Sequence, residues 1–154
     1  MDLSLIPVTP ENRAEAEALH VARDQLTFIE TVPECLQEYD EVPGWHPMCI
    51  CNDGTIVGFT MYGYFTENGR GRLWFDRLLI DERYQGHGYG KHIIPVILDR
   101  MRREFPGEDI FLSVYDDNPH AIGLYRYFGF AFNGELDTKG EKIMILRADQ
   151  VLPE

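Results

Sequence analysis

The fold of this chain is decided by the segment Arg83-Tyr84-Gln85-Gly86-His87-Gly88-Tyr89-Gly90-Lys91. It follows an apolar run at residues 73–80 that is typical of a strand, and it leads into a predicted helix from Tyr89 to Glu104. The first N–H groups of a helix lack partners within the helix and lie at the positive end of its dipole, and glycines let such a backbone approach an anion closely. The segment therefore predicts a binding site for a phosphorylated ligand.

The spacing of the glycines excludes two common phosphate-binding motifs. A P-loop requires Ser or Thr after its Gly-Lys pair, whereas His92 follows Gly90 and Lys91. A dinucleotide-binding fingerprint requires G-x-G-x-x-G, and Lys91 or Ile93 occupies the position of its third glycine. The segment instead fits the pattern Q/R-x-x-G-x-G/A. The motif is short, and an ordinary glycine-rich turn between a strand and a helix is the alternative interpretation.

A second motif lies downstream at residues 118–130 and reads Asn-Pro-His-Ala-Ile-Gly-Leu-Tyr-Arg-Tyr-Phe-Gly-Phe. Asn118 is suited to cap a helix, and Gly129 is suited to end it. The apolar residues between them share one helix face, which by itself is typical of a hydrophobic core. Taken together and in this order, the two motifs resemble those of the GNAT superfamily of acetyltransferases.

The resemblance implies that acetyl-CoA is the co-substrate, and it assigns residues to that role. Backbone amides at the end of the preceding strand, those of Leu78, Leu79 and Ile80, are expected to hold the pantetheine arm and the thioester carbonyl. Asn118 is expected to line the other side of the CoA cleft. The pyrophosphate is expected to bind the turn formed by Gln85, Gly86, His87, Gly88, Tyr89, Gly90 and Lys91.

Acetylation of an amine by direct attack on a thioester requires a neutral amine, a stabilised oxyanion and a protonated leaving group. A primary amine has a pKa of about 10.4, so neutralising it at pH 7 costs roughly 4–5 kcal/mol. By resemblance, Tyr125 is the candidate general acid for the departing thiolate, and a core tyrosine is the alternative.

Asp76 is the candidate base or amine anchor, acting directly or through water. Aspartate is unfavourable inside a strand, so its presence requires a reason. By resemblance, an acidic residue of polyamine acetyltransferases falls at this position. The alternative is an ion pair with Arg77, but neighbouring strand residues face opposite sides, which makes that pair geometrically poor.

Acidic residues after the first strand are candidates for substrate selection. Glu30, Glu34 and Glu38 recur at intervals of four, and like charges at this spacing destabilise a helix. One explanation is that these carboxylates form an acidic wall, a row of negative charges that faces a polycationic substrate. The alternative is that they belong to a helix face exposed to solvent.

Segments beyond the two motifs, at residues 26–36, 74–77, 81–86 and 132–137, resemble bacterial spermine/spermidine acetyltransferases. We therefore expect a polyamine acceptor. Other acceptors (an aminoglycoside, an amino acid or a protein amino group) and a non-catalytic acyl-CoA-binding regulator are the alternatives.

Composition limits the other function classes. The chain has 154 residues, 44% of them hydrophobic, and a net charge of −12, which argues against nucleic acid and anionic membranes as partners. It has no apolar run of membrane-spanning length, and its first residues lack the features of a signal peptide, so we expect a cytoplasmic protein. Cys35, Cys49 and Cys51 are expected to be reduced, with no metal site. The resemblance further implies a homodimer.

The predicted element order is β-α-α-β-β-β-α-β-α-β-β, which is that of the GNAT fold. The resemblance thus implies a single α/β domain over residues 1–154, with a mixed, mostly antiparallel central sheet flanked by helices. Pro95 is expected to kink the helix that contains it or to leave that helix irregular. Strands are predicted at residues 3–8, 46–51, 55–64, 73–80, 109–114, 130–136 and 142–146. Helices are predicted from Thr9 as N-cap through residue 19, over residues 21–29 and 34–39, from Tyr89 to Glu104, and after Asn118.

Overall fold

The computed structural model describes residues 2–20, 31–116 and 118–153. Within these residues the elements follow one another in the predicted order. The helix predicted over residues 21–29, and Glu30, lie outside the described residues. The strands are β1 (Leu3–Pro7), β2 (Trp45–Asn52), β3 (Thr55–Glu67), β4 (Arg70–Ile80), β5 (Ile110–Val114), β6 (Ala131–Leu136) and β7 (Lys142–Leu146). The helices are α1 (Arg13–Glu17), α2 (Val32–Glu41), α3 (Tyr89–Glu104) and α4 (Pro119–Tyr127), and a short 3₁₀ helix covers Glu82–Tyr84.

The strands of the described chain form one mixed sheet in the order β1-β2-β3-β4-β5-β7-β6. Neighbouring strands are antiparallel except β4 and β5, which are parallel. The register of β4 and β5 contains the pairs Leu73↔Ile110 and Trp74↔Phe111, near the amino-terminal ends of both strands. Their carboxyl-terminal halves therefore separate and leave a gap in the sheet. We call this gap, between residues 75–80 of β4 and 112–114 of β5, the strand split.

A β-bulge changes the facing of β4 halfway along its length. Met61 and Tyr62 are consecutive residues of β3, and they pair with Arg77 and Phe75. Asp76 is therefore the extra residue of the bulge. Because one extra residue shifts the alternation of side chains, Asp76 and Arg77 lie on the same face of the sheet.

The two hydrophobic clusters agree with this change of facing. Phe75, before the bulge, belongs to the cluster under α3, and Leu78, after it, packs against the same cluster. Leu79 belongs to the second cluster, which includes residues of α1 and α2. We call the two sides of the sheet the α3 face and the α2 face. By alternation, Asp76 and Arg77 lie on the α2 face.

Two helix starts differ from the predicted ones, and a side-chain capping box explains the change at α2. α1 has Asn12 as its N-cap, and Thr9 lies in a turn where its N–H donates to Oδ1 of Asn12 at 2.8 Å. The prediction of Thr9 as N-cap is therefore wrong. α2 begins two residues early, at 32 rather than 34, because Thr31 and Glu34 form a capping box. α3 has the predicted bounds and continues through Pro95.

The cysteines are buried in the cluster on the α2 face. None of Cys35, Cys49 and Cys51 forms a disulfide. Burial raises the pKa of Cys49 to about 12, and burial also raises the pKa of Cys51, so both thiols stay protonated at neutral pH. Among the described residues, no cluster of His, Cys, Asp and Glu side chains could hold a metal ion. None of the helices described is long and apolar enough to cross a membrane.

Candidate functional site

The predicted catalytic residues lie on opposite faces of the sheet beside the strand split. Tyr125 on α4 contacts Phe75 on the α3 face, with ring centroids 6.0 Å apart. Asp76, the next residue of β4, faces the α2 side. The split therefore has a tyrosine on one side and a carboxylate on the other, and a group held in it can be reached from both faces.

The glycine-rich turn has the backbone geometry of an anion site. Gly86 and Gly88 have φ angles of 83° and 77°, a region that favours glycine. Gly88 is the N-cap of α3, and it has no side chain to cap the helix. The first N–H groups of α3 are therefore available to an external acceptor. His87 and Lys91 are exposed beside them.

Two side chains fix this turn to the sheet. Gln85 donates a hydrogen bond from Nε2 to the carbonyl oxygen of Ile80 at the end of β4, at 2.8 Å. Asp81 is fully buried and accepts from the backbone N–H groups of His20 and Arg83, at 3.0 and 2.9 Å, and from Nε of Arg83 at 2.8 Å. Burial alone would raise the pKa of Asp81, but these hydrogen bonds outweigh it and lower the pKa. Asp81 is a structural residue of the site that the sequence did not single out.

The starts of α3 and α4 lie close together. A Cβ on Gly90 would lie 3.3 Å from Cδ2 of Leu124, so glycine allows the helices to pack here. Asn118 accepts from the N–H of Ala121 at 3.3 Å, which confirms its predicted role as a helix cap. The Tyr89 side chain is buried in the core of the α3 face, so its backbone is the part left for a phosphate.

Tyr125, the predicted general acid, lies in an apolar environment. Its ring is half-buried between Phe75 and Phe130, with the second centroid 5.9 Å away. Burial raises the pKa of Tyr125 to about 12, so the hydroxyl keeps its proton at neutral pH.

Asp76 forms an ion pair with Arg77, contrary to the expected poor geometry. Nη1 of Arg77 lies 2.6 Å from Oδ2 of Asp76, and each side chain is 16% exposed. The expectation of opposite faces assumed a regular strand, and the bulge at Asp76 removes that condition. The guanidinium is therefore part of the same surface as the carboxylate.

The acidic residues of α2 have different partners. Glu38 lies 3.4 Å from Nη2 of Arg77 and so belongs to the surface around Asp76. Glu34 accepts from the N–H and the hydroxyl of Thr31 at the start of α2, and these hydrogen bonds lower the pKa of Glu34. Of the predicted acidic wall, the structure brings Glu38 toward Asp76, whereas the Glu34 carboxylate is engaged in the helix cap.

Comparison with protein families decides the family. Residues 9–130 match the acetyltransferase (GNAT) family. The chain belongs to the GNAT family. It is 43% identical to the spermine/spermidine N(1)-acetyltransferase of Bacillus subtilis, over 94% of this chain and 98% of that protein.

Solved structures share the GNAT fold of the chain. A spermidine N-acetyltransferase from Vibrio cholerae, in complex with CoA and spermine, superposes with a TM-score of 0.71 at 18% identity. That match covers 94% of this chain and 93% of the other. An acetyltransferase from Thermus thermophilus superposes with a TM-score of 0.72 at 21% identity, over 96% and 97% of the two chains.

Further polar residues that the sequence did not single out meet where β5 and the turn before β7 come together. Ser113 on β5 donates a hydrogen bond from its hydroxyl to Oε2 of Glu141 at 3.1 Å. Glu141 also shares a hydrogen bond with the carboxylate of Asp137, in the turn between β6 and β7. No motif marks these residues in the sequence, since they meet only when β7 pairs with β5.

Glu141 has an unusual acidity for a glutamate. Burial, followed by the hydrogen bond and the negative charge of Asp137, raises the pKa of Glu141 to about 7. The positive charge of Arg77 acts in the opposite direction, as does the hydrogen bond from Ser113. The Glu141 carboxyl group therefore lies within electrostatic reach of Arg77, which forms the ion pair with Asp76.

Proposed function

We propose that this GNAT protein transfers the acetyl group of acetyl-CoA to a primary amine of a polyamine such as spermine or spermidine. The observation that carries the proposal is the 43% identity with the Bacillus subtilis spermine/spermidine N(1)-acetyltransferase, over 94% of this chain and 98% of that protein. The carboxylates of Asp76 and Glu38 beside the strand split support it, because a polyamine is a chain of cationic amines.

In this proposal the CoA moiety spans the α3 face of the split. The backbone of Leu78, Leu79 and Ile80 holds the pantetheine arm and the thioester carbonyl, and Asn118 lines the opposite side. The uncapped N–H groups of α3 and the positive φ angles of its glycines support a pyrophosphate at this turn. The residues of the turn are Gln85, Gly86, His87, Gly88, Tyr89, Gly90 and Lys91.

The acceptor reaches the split from the α2 face. Asp76 holds the ammonium group, and Glu38 adds negative charge beside it. Glu34 and Glu30 are further acceptor-binding residues in the same proposal. A carboxylate then takes a proton from the ammonium, directly or through water, and leaves an amine that can attack.

Tyr125 completes the reaction from the α3 face. The amine nitrogen forms a bond to the thioester carbon, the carbon–sulfur bond breaks, and Tyr125 gives its proton to the departing thiolate. The protonated state of the Tyr125 hydroxyl at neutral pH supports this assignment. The proton lost by the new amide nitrogen then returns the Tyr125 phenolate to its protonated state, so that one proton in total reaches solvent in each cycle.

We also propose that residues 1–154 form one acetyltransferase domain that acts as a homodimer in the cytoplasm, without a nucleic-acid or membrane partner. The net charge of −12 supports the choice of partners, and three cysteines that form no disulfide support the location. β6 is an edge strand of the sheet, and Leu136 at its end is 63% exposed, which supports an interface there. The mass of the protein in solution, measured by light scattering, tests the dimer.

Release of CoA thiol from acetyl-CoA, measured with a panel of amines, tests the function. The panel contains spermine, spermidine, putrescine, an aminoglycoside, a free amino acid and a peptide with a free amino terminus. We expect the highest kcat/KM with a polyamine and a singly acetylated polyamine by mass spectrometry. If only another amine is acetylated, that amine and not a polyamine is the acceptor. If the protein binds CoA but acetylates no amine, it is a non-catalytic regulator.

A further inference from the structure

We propose that Glu141 is the proton-accepting carboxylate of the acetyl-transfer site, facing Asp76 across the strand split and held by Ser113 and Asp137. This inference rests on the proposed acetylation of polyamines. It divides two tasks between two carboxylates, so that Asp76 holds the ammonium group and Glu141 takes its proton, directly or through one water.

Ser113 and Asp76 occupy equivalent positions on the two sides of the split. Trp74 and Phe111 are the last paired residues of β4 and β5, and their rings lie 5.6 Å apart. Asp76 and Ser113 each follow two residues later. By alternation both face the α2 side, where the acceptor is proposed to enter.

Glu141 is fixed to the β5 side of the split by its neighbours. The Ser113 hydroxyl donates to its Oε2 at 3.1 Å. Oδ1 of Asp137 accepts from the backbone N–H groups of Lys139 and Glu141, each at 2.8 Å, which closes the turn between β6 and β7. The Asp137 carboxylate also shares a hydrogen bond with the Glu141 carboxyl group. The Glu141 side chain therefore cannot leave the split without breaking these contacts.

The charges around Glu141 come from three elements. Asp137 and Lys139 belong to its own turn, Arg77 comes from β4, and Glu38 of α2 reaches Arg77 at 3.4 Å. On the far side of the turn, Lys142 pairs with Asp116 at 2.9 Å. Asp137 raises the pKa of Glu141, whereas Arg77 lowers it, and burial makes the largest contribution, so that the pKa is about 7.

This arrangement suits Glu141 to accept a proton better than it suits Asp76. A proton acceptor is most effective when its pKa lies near the working pH, as that of Glu141 does. Asp76 already neutralises the guanidinium of Arg77 at 2.6 Å, and such an ion pair favours the charged carboxylate. A bound ammonium group is thus held by one carboxylate and deprotonated by the other.

The proton-transfer step is balanced within the site. The Glu141 carboxylate takes one proton from the ammonium group and becomes a neutral carboxylic acid, and the amine keeps the lone pair that attacks the thioester. The acid returns the proton to solvent before the next cycle. The neutral acid can donate a hydrogen bond to the Asp137 carboxylate, and this bond stabilises Glu141 while it holds the proton.

The pH dependence of kcat/KM for spermidine, measured on the full chain between about pH 5 and 10, tests the inference. In the wild type, kcat/KM rises through an inflection near pH 7, where Glu141 ionises, and then stays level until the free amine loses its proton near pH 10. Glu141→Gln lowers kcat/KM by about 100-fold at pH 8 and removes the inflection, so that the rate climbs steadily with pH. An unchanged inflection in Glu141→Gln would overturn the inference.

Two further variants separate chemistry from damage to the fold. Asp137→Asn removes the charge that raises the pKa of Glu141, so the inflection moves to lower pH. Glu135→Gln changes a carboxylate on the same hairpin that pairs with Arg72 at 2.7 Å, away from the split, and it leaves the inflection in place. A structural role alone would lower activity at every pH and move no inflection.

A titration of the protein itself distinguishes failure of this inference from failure of the proposed function. ¹³C NMR of labelled glutamate carboxyl groups should show one group that titrates near pH 7 and moves to lower pH in Asp137→Asn. If wild type turns over no amine, the proposed function fails, whatever the titration shows. If every glutamate titrates near its ordinary value of about 4.3, the inference about Glu141 fails even with full polyamine activity.

Discussion

At the scale of the residue, the protonation state of each group follows from its surroundings. Tyr125 lies in an apolar layer of aromatic rings, and burial raises its pKa to about 12. Asp81 is more fully removed from solvent than Tyr125, yet hydrogen bonds from Arg83 and the His20 backbone lower its pKa. Burial therefore keeps one group neutral, and satisfied hydrogen bonds keep the other charged.

Removing the Tyr125 hydroxyl is expected to affect chemistry more than structure. Tyr125→Phe should lower kcat about 100-fold, with a small change in the KM for acetyl-CoA, because the ring still fills its place between Phe75 and Phe130. Steady-state kinetics and a thermal melt check this. Tyr127→Phe, on the exposed side of α4, is the matched control. Wild-type kcat in Tyr125→Phe would contradict the role of this hydroxyl.

Asp81 is expected to contribute to stability in a pH-dependent way. The pKa of Asp81 in the folded protein lies below its value of about 3.9 in the unfolded chain. The ionised carboxylate therefore adds to the free energy of unfolding above about pH 3.9, and this addition is lost as the pH falls through the folded pKa. Asp81→Asn should cost about 1–3 kcal/mol in the free energy of unfolding at pH 7 and raise the KM for acetyl-CoA, since the turn loses its anchor. Urea unfolding at pH 7 and below pH 4 measures this difference. Asp99→Asn, which changes an exposed ion pair on α3, is the control.

At the scale of the element, the bulge in β4 creates the surface on the α2 face. One extra residue aligns Asp76 and Arg77 on one side and lets Leu78 return to the α3 core. Beside the bulge, the buried hydroxyl of Thr60 donates to the carbonyl oxygen of Arg77 at 2.6 Å. This side chain from β3 therefore supports the irregular backbone of β4.

Thr60→Val should therefore disturb both stability and catalysis. The isosteric change leaves the Arg77 carbonyl oxygen without its side-chain donor, and we expect a loss of about 1–2 kcal/mol in the free energy of unfolding. A lower kcat/KM for polyamine should accompany it, because Asp76 is no longer aimed as well. Thr66→Val, at an exposed position of the same strand, should change neither quantity. Equal effects of the two substitutions would refute a special role for Thr60.

Elements marked by a short sequence pattern could be predicted from the sequence, whereas the bulge in β4 could not. Asp53-Gly54 and Asn68-Gly69 each have positive φ at both residues, as the turns that join β2 to β3 and β3 to β4 require. α3 has the predicted bounds because its glycine-rich start and apolar stripe are both local. By contrast, the register of β4 depends on β3, and the Arg77 side chain could be assigned to the wrong face from its sequence position alone.

At the scale of the whole molecule, the site depends on two parallel strands that separate. β4 and β5 pair at their amino-terminal ends, and the gap beyond brings together α4, α2 and the turn before β7. The GNAT motifs allow CoA-binding residues to be predicted along this gap, because the residues of each motif are contiguous in sequence, and that assignment stays a prediction. The Ser113–Glu141 contact joins residues far apart in the chain, and only the pairing of β5 with β7 creates it.

The most direct test of polyamine acetylation is a competition experiment with the wild-type protein. Acetyl-CoA is supplied to a mixture of spermidine, an aminoglycoside, an amino acid and a peptide at equal concentrations, and the products are identified by mass spectrometry. We predict that the acetyl group is found on spermidine, on a primary amine, before the other acceptors react. Acetylation of another acceptor ahead of spermidine, or no acetylated product at all, would contradict the account.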